Sequence, residues 1–194
     1  MKDTLFLVLA AGSSSRLGRP KQLLPFRGTT LLGHTVSAAV STGYTTLVVA
    51  GSGEEDVTLA LAGIGCEVIS NPGWEEGIAS SIRTGISYIL HRYEMPVEVM
   101  LMVCDQPFVE KSHLLSLLEK KQNSGKKIIA SSYNGTLGTP VLFDAVLFPE
   151  LLQLTGNEGA KKIIMKEPQR VASVAFPLGG IDIDTQEDLQ RYLT

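Results

Sequence analysis

The 194-residue sequence predicts an α/β fold, a three-layer α/β/α sandwich around a Rossmann-like, mainly parallel sheet. Short apolar runs alternate with longer segments of helical period, which is the pattern of successive βα units. Glycines close several of the helical segments, and one further strand-like run with a proline inside it follows the repeats. A chain of this length suits one domain over residues 1–194: it buries roughly 70% of its unfolded surface and shows no repeat, low-complexity tract or linker.

In chain order, the apolar run 5–10 reads as the first strand and residues 31–42 as the first long helix. Strands at 46–50 and 66–70 flank a helix at 54–62. Residues 78–91 give the clearest helix, because Ile78, Ile82, Ile86 and Ile89 recur on one face. Gly77, Ser81 and Gly85 recur at i, i+4 and give this helix a second side of small residues suited to close packing. The long apolar run 97–104 reads as a strand, 112–123 as a helix, and 127–131 and 171–176 as further strands. Residues 137–143 contain Gly138-Thr139-Pro140, and the proline places this strand at a sheet edge or itself at the strand's start. In such sheets ligands sit beyond the carboxyl ends of the strands, where strand order reverses, so the first strand should point at the site.

Composition limits the partners. With 44% hydrophobic residues, 19% charged residues and a formal net charge of −3, the protein has no global attraction for nucleic acid or an anionic membrane. Anion binding has to be local. The first apolar run is about seven residues long, far short of a membrane span. Cys66 and Cys104 lie within or at the end of apolar runs and read as reduced, packed side chains, which fits the cytoplasm. His34, His91 and His113 fall in helical segments away from every motif and read as structural or solvated.

Directly after the first strand comes Leu9-Ala10-Ala11-Gly12-Ser13-Ser14-Ser15-Arg16-Leu17-Gly18-Arg19-Pro20-Lys21. Small side chains let backbone amides approach phosphate oxygens, and arginine and lysine supply the charge a triphosphate needs. Neither the P-loop spacing nor the dinucleotide Gly-x-Gly-x-x-Gly spacing is present, which counts against an ordinary ATPase and a dehydrogenase. A second chemical signal is Asp105, which follows the apolar run 97–104 and precedes the turn Gln106-Pro107, so its carboxylate should emerge at the binding edge of the sheet. The third is Asp182 and Asp184, which alternate with Ile181 and Ile183; in an extended segment both carboxylates share one face while the isoleucines enter the core. Asp184 is equally placed to cap a final helix starting near Thr185.

The pattern Leu-Ala-Ala-Gly-x-Ser-x-Arg-x-Gly-x-Pro-Lys, residues 9–21, resembles the signature loop of the molybdopterin nucleotidyltransferase family. The likeness continues through Gln22-Leu23-Leu24-Pro25-Phe26, Asn71-Pro72-Gly73-Trp74-Glu75-Glu76-Gly77, Cys104-Asp105-Gln106-Pro107, Gly138-Thr139-Pro140, Gly156-Asn157-Glu158-Gly159-Ala160 and Asp182-Ile183-Asp184. Nearly the whole chain is covered in order, and the set is most similar to the molybdenum cofactor cytidylyltransferases. The resemblance implies the nucleotidyltransferase version of the sheet, with Ala10, Ala11, Gly12 and Ser13 offering backbone contacts to the triphosphate and Arg16 and Lys21 neutralising it. It implies Mg2+ held by Asp105, Asp182 and Asp184, with Arg16, Lys21 and Asp105 as the catalytic set. Asn71 is either a turn residue before Pro72 or a hydrogen-bond partner of base or ribose. The amino end of the helix, from Gly77 to Ser80, is expected to offer free amides beside the nucleotide. Trp74, alone of its kind in a polar loop, is either an acceptor-site wall or a local packing residue. Thr139 and Asn157 depart from the histidine and aspartate common in relatives, and Asn157 has a cap role open to it before Lys161 and Lys162.

The implied reaction is in-line attack by the acceptor's terminal phosphate oxygen on the α-phosphorus of CTP, with pyrophosphate leaving and CMP transferred to a molybdopterin-type acceptor. A molybdenum hydroxylase apoenzyme is the expected recipient of the product. A phosphate monoester is already ionised at neutral pH, so positioning and charge stabilisation suffice without a nucleophile–histidine pair. The competing readings are a nucleotidyltransferase acting on a sugar phosphate or other phosphorylated acceptor, and a non-catalytic nucleotide-binding maturation factor.

Overall fold

The computed structural model describes residues 3–12, 20–183 and 188. Its main sheet contains β1 (Asp3–Ala10), β4 (Thr45–Ala50), β5 (Glu67–Ser70), β6 (Pro96–Val103), β7 (Ile128–Tyr133), β8 (Thr136–Asp144) and β9 (Val171–Ala175), while β2 (Pro25–Phe26) and β3 (Thr29–Thr30) form a small hairpin. The helices are α1 (Leu31–Val40), α2 (Glu54–Ala60), α3 (Ile78–Arg92), α4 (Lys111–Ser124), α5 (Phe148–Leu151) and α6 (Lys161–Lys166). Every strand and long helix expected from periodicity is present, with ends shifted by a residue or two. The hairpin and the short α5 are additions, too brief to show a period in the sequence, while α6 is the helix expected to carry Lys161 and Lys162.

Strand order across the sheet is β5-β4-β1-β6-β8-β7-β9. β1 pairs in parallel with β4 and β6, β4 with β5, and β7 with β9, whereas β8 runs antiparallel to both β6 and β7. From β1 the chain builds outward through β4 to β5, then crosses back to β6 on the other side of β1. Strand order therefore reverses between β1 and β6.

The period-2 alternation of β1 divides the core into two layers. Leu5, Leu7 and Leu9 face a layer containing Ile82, Ile86 and Ile89 of α3, and Phe6, Val8 and Ala10 face one containing Val36 of α1 and Leu114 and Leu117 of α4. The small side of α3 lets it lie close to β1: a Cβ added at Gly85 would stand 2.5 Å from a methyl of Leu7. Fully burying one leucine or isoleucine of these layers is worth about 1.5–3 kcal/mol.

One expectation for the sheet is corrected. β8, with Pro140 inside it, is an interior strand between β6 and β7, neither at an edge nor beginning at its proline. The register shows how the sheet accommodates it. On the β7 side pairing jumps from Ala130↔Val141 to Ser131↔Gly138, so Thr139 and Pro140 bulge out of the ladder. On the β6 side pairing stops at Leu101↔Val141, so the missing N–H of Pro140 leaves no ladder bond unmade.

Candidate active site

Leu9 pairs with Val103, so the residues that leave β1 and β6 emerge side by side where strand order reverses. A cleft of about 330 Å3 opens there. Ala11 and Gly12 line it from β1, Cys104 and Asp105 from β6, and Lys21 and Gln22 from the short 3-10 turn Lys21–Leu23. Trp74 and Glu75 form another side, continued by Gly77, Ile78 and Ser81 at the start of α3, and Asn157 stands at the rim.

At the centre, Lys21 Nζ donates to Asp105 Oδ2 at 2.6 Å, with the two side chains 20% and 22% exposed. Both backbones are anchored. Leu24, Phe26, Leu31 and Ile183 form a small apolar cluster beneath the lysine's turn, and the Ile183 amide donates to the Asp105 carbonyl at 3.2 Å. That bond brings the segment of Asp182 and Ile183 beside Asp105: Ile183 is fully buried and Asp182 is exposed. The expected alternation holds at these two positions, although Ile181 is only half-buried. Asp184, Ser13 and Arg16 lie outside the described residues.

Other expected contacts sort differently. Ala10 points its methyl into the core, leaving only its backbone at the β1 edge, whereas Ala11 and Gly12 reach the cleft. Asn71 is 3% exposed and its amide is saturated within the protein: Nδ2 donates to Ser80 Oγ at 2.9 Å and Ser81 Oγ at 3.0 Å. Its Oδ1 accepts from the Gly73 amide at 3.0 Å and Thr84 Oγ1 at 3.3 Å. These bonds give Asn71 the turn role before Pro72. Ser80 is likewise turned inward, donating to the Gly77 carbonyl at 2.8 Å, and Ser81 one residue on faces the cleft in its place.

The amino end of α3 is less open than expected. The Gly77, Ala79 and Ser80 amides donate to the carbonyls of Trp74, Gly156 and Gly77, each at 3.1 Å. Gly77 has φ +119°, and a Cβ there would stand 2.5 Å from Asn157 Oδ1 and 2.6 Å from the Gly156 carbonyl. Only glycine fits between the two segments. Glu76 Oε1 accepts from the Gly156 amide at 3.1 Å, and Arg83 pairs with Glu76 through both guanidinium nitrogens while donating to the Leu154 carbonyl at 2.7 Å. The Arg83 hydrogen bonds hold the Glu76 carboxyl at about 2. These contacts fix the loop carrying Asn157. It does not cap α6, whose N-cap is Ala160.

Gln22, Glu75 and Ser81 are cleft residues for which sequence reasoning assigned no role. Ser81 was visible as part of the Gly77, Ser81, Gly85 stripe, whose first two members line the cleft while Gly85 packs on β1.

The neighbouring titratable groups are poor nucleophiles or bases. Burial, with the Asp105 charge adding to it, pushes the Cys104 thiol up to about 12, so it stays protonated. His113 stacks on Phe176 at 4.3 Å between ring centroids, contacts Ser131 Oγ at 2.8 Å, and is pushed down to about 4 by burial. Ser131 donates its own proton to the Pro140 carbonyl, so His113 serves as a neutral N–H donor inside the fold. Among the described residues, no group of three or more His, Cys, Asp or Glu is arranged to hold a metal. A lone hard-oxygen ligand such as Asp105 nonetheless suits magnesium, which takes one or two carboxylates and completes its octahedron with water and phosphate. No described helix is long and apolar enough to cross a membrane.

A family model described as the MobA-like NTP transferase domain matches residues 6–171. The chain is 26% identical to the nicotine blue oxidoreductase of Paenarthrobacter nicotinovorans, covering 96% of this chain and 95% of that protein. It is 27% identical to the purine catabolism protein PucB of Bacillus subtilis strain 168, covering 93% and 91%. Among solved structures it superimposes on Rv0371c of Mycobacterium tuberculosis H37Rv with a TM-score of 0.85 and 32% identity, over 99% of this chain and 97% of that one. A manganese complex of Rv0371c matches with a TM-score of 0.79 and 29% identity, over 98% of each chain.

Proposed function

We propose that this chain, which belongs to the MobA-like NTP transferase family and is a nucleotidyltransferase of that kind, transfers CMP from CTP to a molybdopterin-type acceptor and releases pyrophosphate. The observation that carries the reading is the meeting of Lys21 and Asp105 where β1 and β6 leave the sheet. A cation from the signature loop and a carboxylate from the second strand then face one triphosphate-sized cleft, as a reaction limited by charge and position requires.

Ala11 and Gly12 bring main chain to the mouth of the cleft, where small side chains admit phosphate oxygens. Lys21, with Arg16, neutralises the phosphates and steadies the charge that grows on departing pyrophosphate. Asp105, with Asp182 next to the Ile183 amide that bonds its carbonyl, and with Asp184, would hold the magnesium ion, which supplies charge neutralisation at the α-phosphate when bound. Manganese in a homologous structure supports a divalent ion in this family. Trp74 and Asn157 flank the cleft on the side left for the acceptor. The acceptor's phosphate needs no general base, consistent with the protonated Cys104 and the neutral His113. The protein is read as one cytoplasmic domain serving a molybdenum hydroxylase.

The test is direct. Purified protein is incubated with magnesium, molybdopterin and each of the four common ribonucleoside triphosphates, and pyrophosphate is measured. CTP is expected to give the highest rate, and release with a sugar phosphate but none with molybdopterin would replace the acceptor.

A further inference from the structure

The contact between Lys21 and Asp105 has a consequence for the order in which the site fills. Both groups belong to the transfer machinery, yet here they satisfy each other at 2.6 Å, a charge-assisted hydrogen bond. A divalent ion on the same carboxylate would sit about 2.1 Å from an oxygen, leaving it roughly 4 Å from an ammonium that stayed in place. At that separation in a partly shielded cleft, two cations on one carboxylate oppose each other strongly.

The anchoring of the two backbones sharpens the conflict. The apolar cluster of Leu24, Phe26, Leu31 and Ile183 holds the turn of Lys21, and the Ile183 amide holds the Asp105 carbonyl. Neither main chain is positioned to retreat, so relief has to come from the side chains. The lysine stem has four flexible carbons and a compact charge, and it reaches a cleft that Ala11 and Gly12 also line.

We infer that Lys21 is a charge latch on Asp105: without nucleotide the ammonium occupies the carboxylate, and a triphosphate draws it away and so opens Asp105 to a divalent cation. The inference rests on the reading of Asp105 as a metal-holding residue. It makes nucleotide and metal binding cooperative through one side chain, and by linkage the coupling is reciprocal. Free metal is then kept off the site until the phosphates it must act on are present.

Manganese binding to the purified full-length protein without nucleotide, followed by loss of the free Mn2+ electron paramagnetic resonance signal, tests the latch. Lys21→Met should tighten Mn2+ binding about tenfold by removing the competing charge, and Lys21→Arg should stay near wild type. Circular dichroism checks folding, and Lys21→Gln serves as a second neutral variant if Lys21→Met does not fold. In EDTA, CTP should bind Lys21→Met more weakly than wild type, the opposite direction from the metal. Neutral variants that bind Mn2+ no more tightly than wild type overturn the latch while leaving the metal assignment standing, provided Asp105→Asn loses the ion. If Asp105→Asn binds Mn2+ as wild type does, the assignment of Asp105 falls, and the latch with it.

Discussion

Two lysine–aspartate pairs sit at opposite ends of the sheet and differ in what surrounds them. Lys21–Asp105 lies beyond the carboxyl ends of β1 and β6 at 2.6 Å; Lys121–Asp144 joins the end of α4 to the end of β8 at 2.7 Å, with side chains 14% and 17% exposed. The second pair is embedded in further bonds: Lys121 also donates to the Lys126 carbonyl, and Asp144 also accepts from Lys127 Nζ at 3.1 Å and the Val146 amide at 3.2 Å. Burial pushes the Asp144 carboxyl up, but Lys121, the Val146 amide and Lys127 together hold it below its ordinary value. Both pairs line clefts, that of Lys121 and Asp144 the larger at about 830 Å3, while the cleft of about 330 Å3 at Asp105 is lined by glycine, an indole and a short turn. Distance and exposure are nearly equal, so neither distinguishes a structural pair from a reactive one. The difference lies in the further bonds by which Lys126, Lys127 and the Val146 amide tie the Lys121–Asp144 pair into the fold, and in the small, phosphate-admitting residues that share the cleft of Lys21 and Asp105.

The largest effect expected from this contrast is on turnover. Asp105→Asn should lower kcat by about 10³-fold, and Lys21→Ala or Arg16→Ala by about 10²-fold, with the melting temperature little changed. Steady-state pyrophosphate release alongside a thermal melt checks both halves. Near wild-type turnover of Asp105→Asn at saturating substrate would remove the carboxylate from the mechanism.

The opposite pair should give the opposite result. Asp144→Ala strands two ammonium groups and the Val146 amide, and should cost about 2 kcal/mol of stability while sparing kcat. Chemical denaturation reads the loss, and a large drop in kcat in the folded variant would contradict the division. Acid separates the contributions further. His113 is depressed to about 4, so it binds a proton more readily unfolded; its contribution is complete above pH 6.5 and is lost as pH falls toward 4. Asp144 is depressed from 3.8, so its contribution is present above pH 3.8 and disappears below it. His113→Gln should flatten the upper window and leave the lower one.

The smallest effect concerns the base. Ala11 lines the cleft, where its methyl narrows the space for a base. Ala11→Gly should shift the ratio of kcat/KM for CTP over GTP toward GTP by about tenfold, the scale of one methyl group. An unchanged ratio would transfer nucleotide choice to other walls of the cleft.

Much of this organisation is legible in local sequence. The alternation of Leu5, Leu7 and Leu9 with Phe6, Val8 and Ala10 announced a strand buried on both faces, and the isoleucines of α3 announced its inward side. Asp105 was placed at the working edge by the apolar run before it and the proline turn after it. These features depend on the order of neighbouring residues, whose side-chain period and turn chemistry act over a few positions. Folding across the chain settled the rest. Pro140 was compatible with an edge until β6 and β7 closed around its bulge. The turn role of Asn71 became visible only in its bonds to Ser80, Ser81, Thr84 and Gly73. The encounter of Lys21 with Asp105, 84 positions apart, has no signature in either segment. Strand pairing, saturation of polar groups and long-range ion pairs each require partners that approach only when the core brings distant segments together, so no local window of sequence contains them.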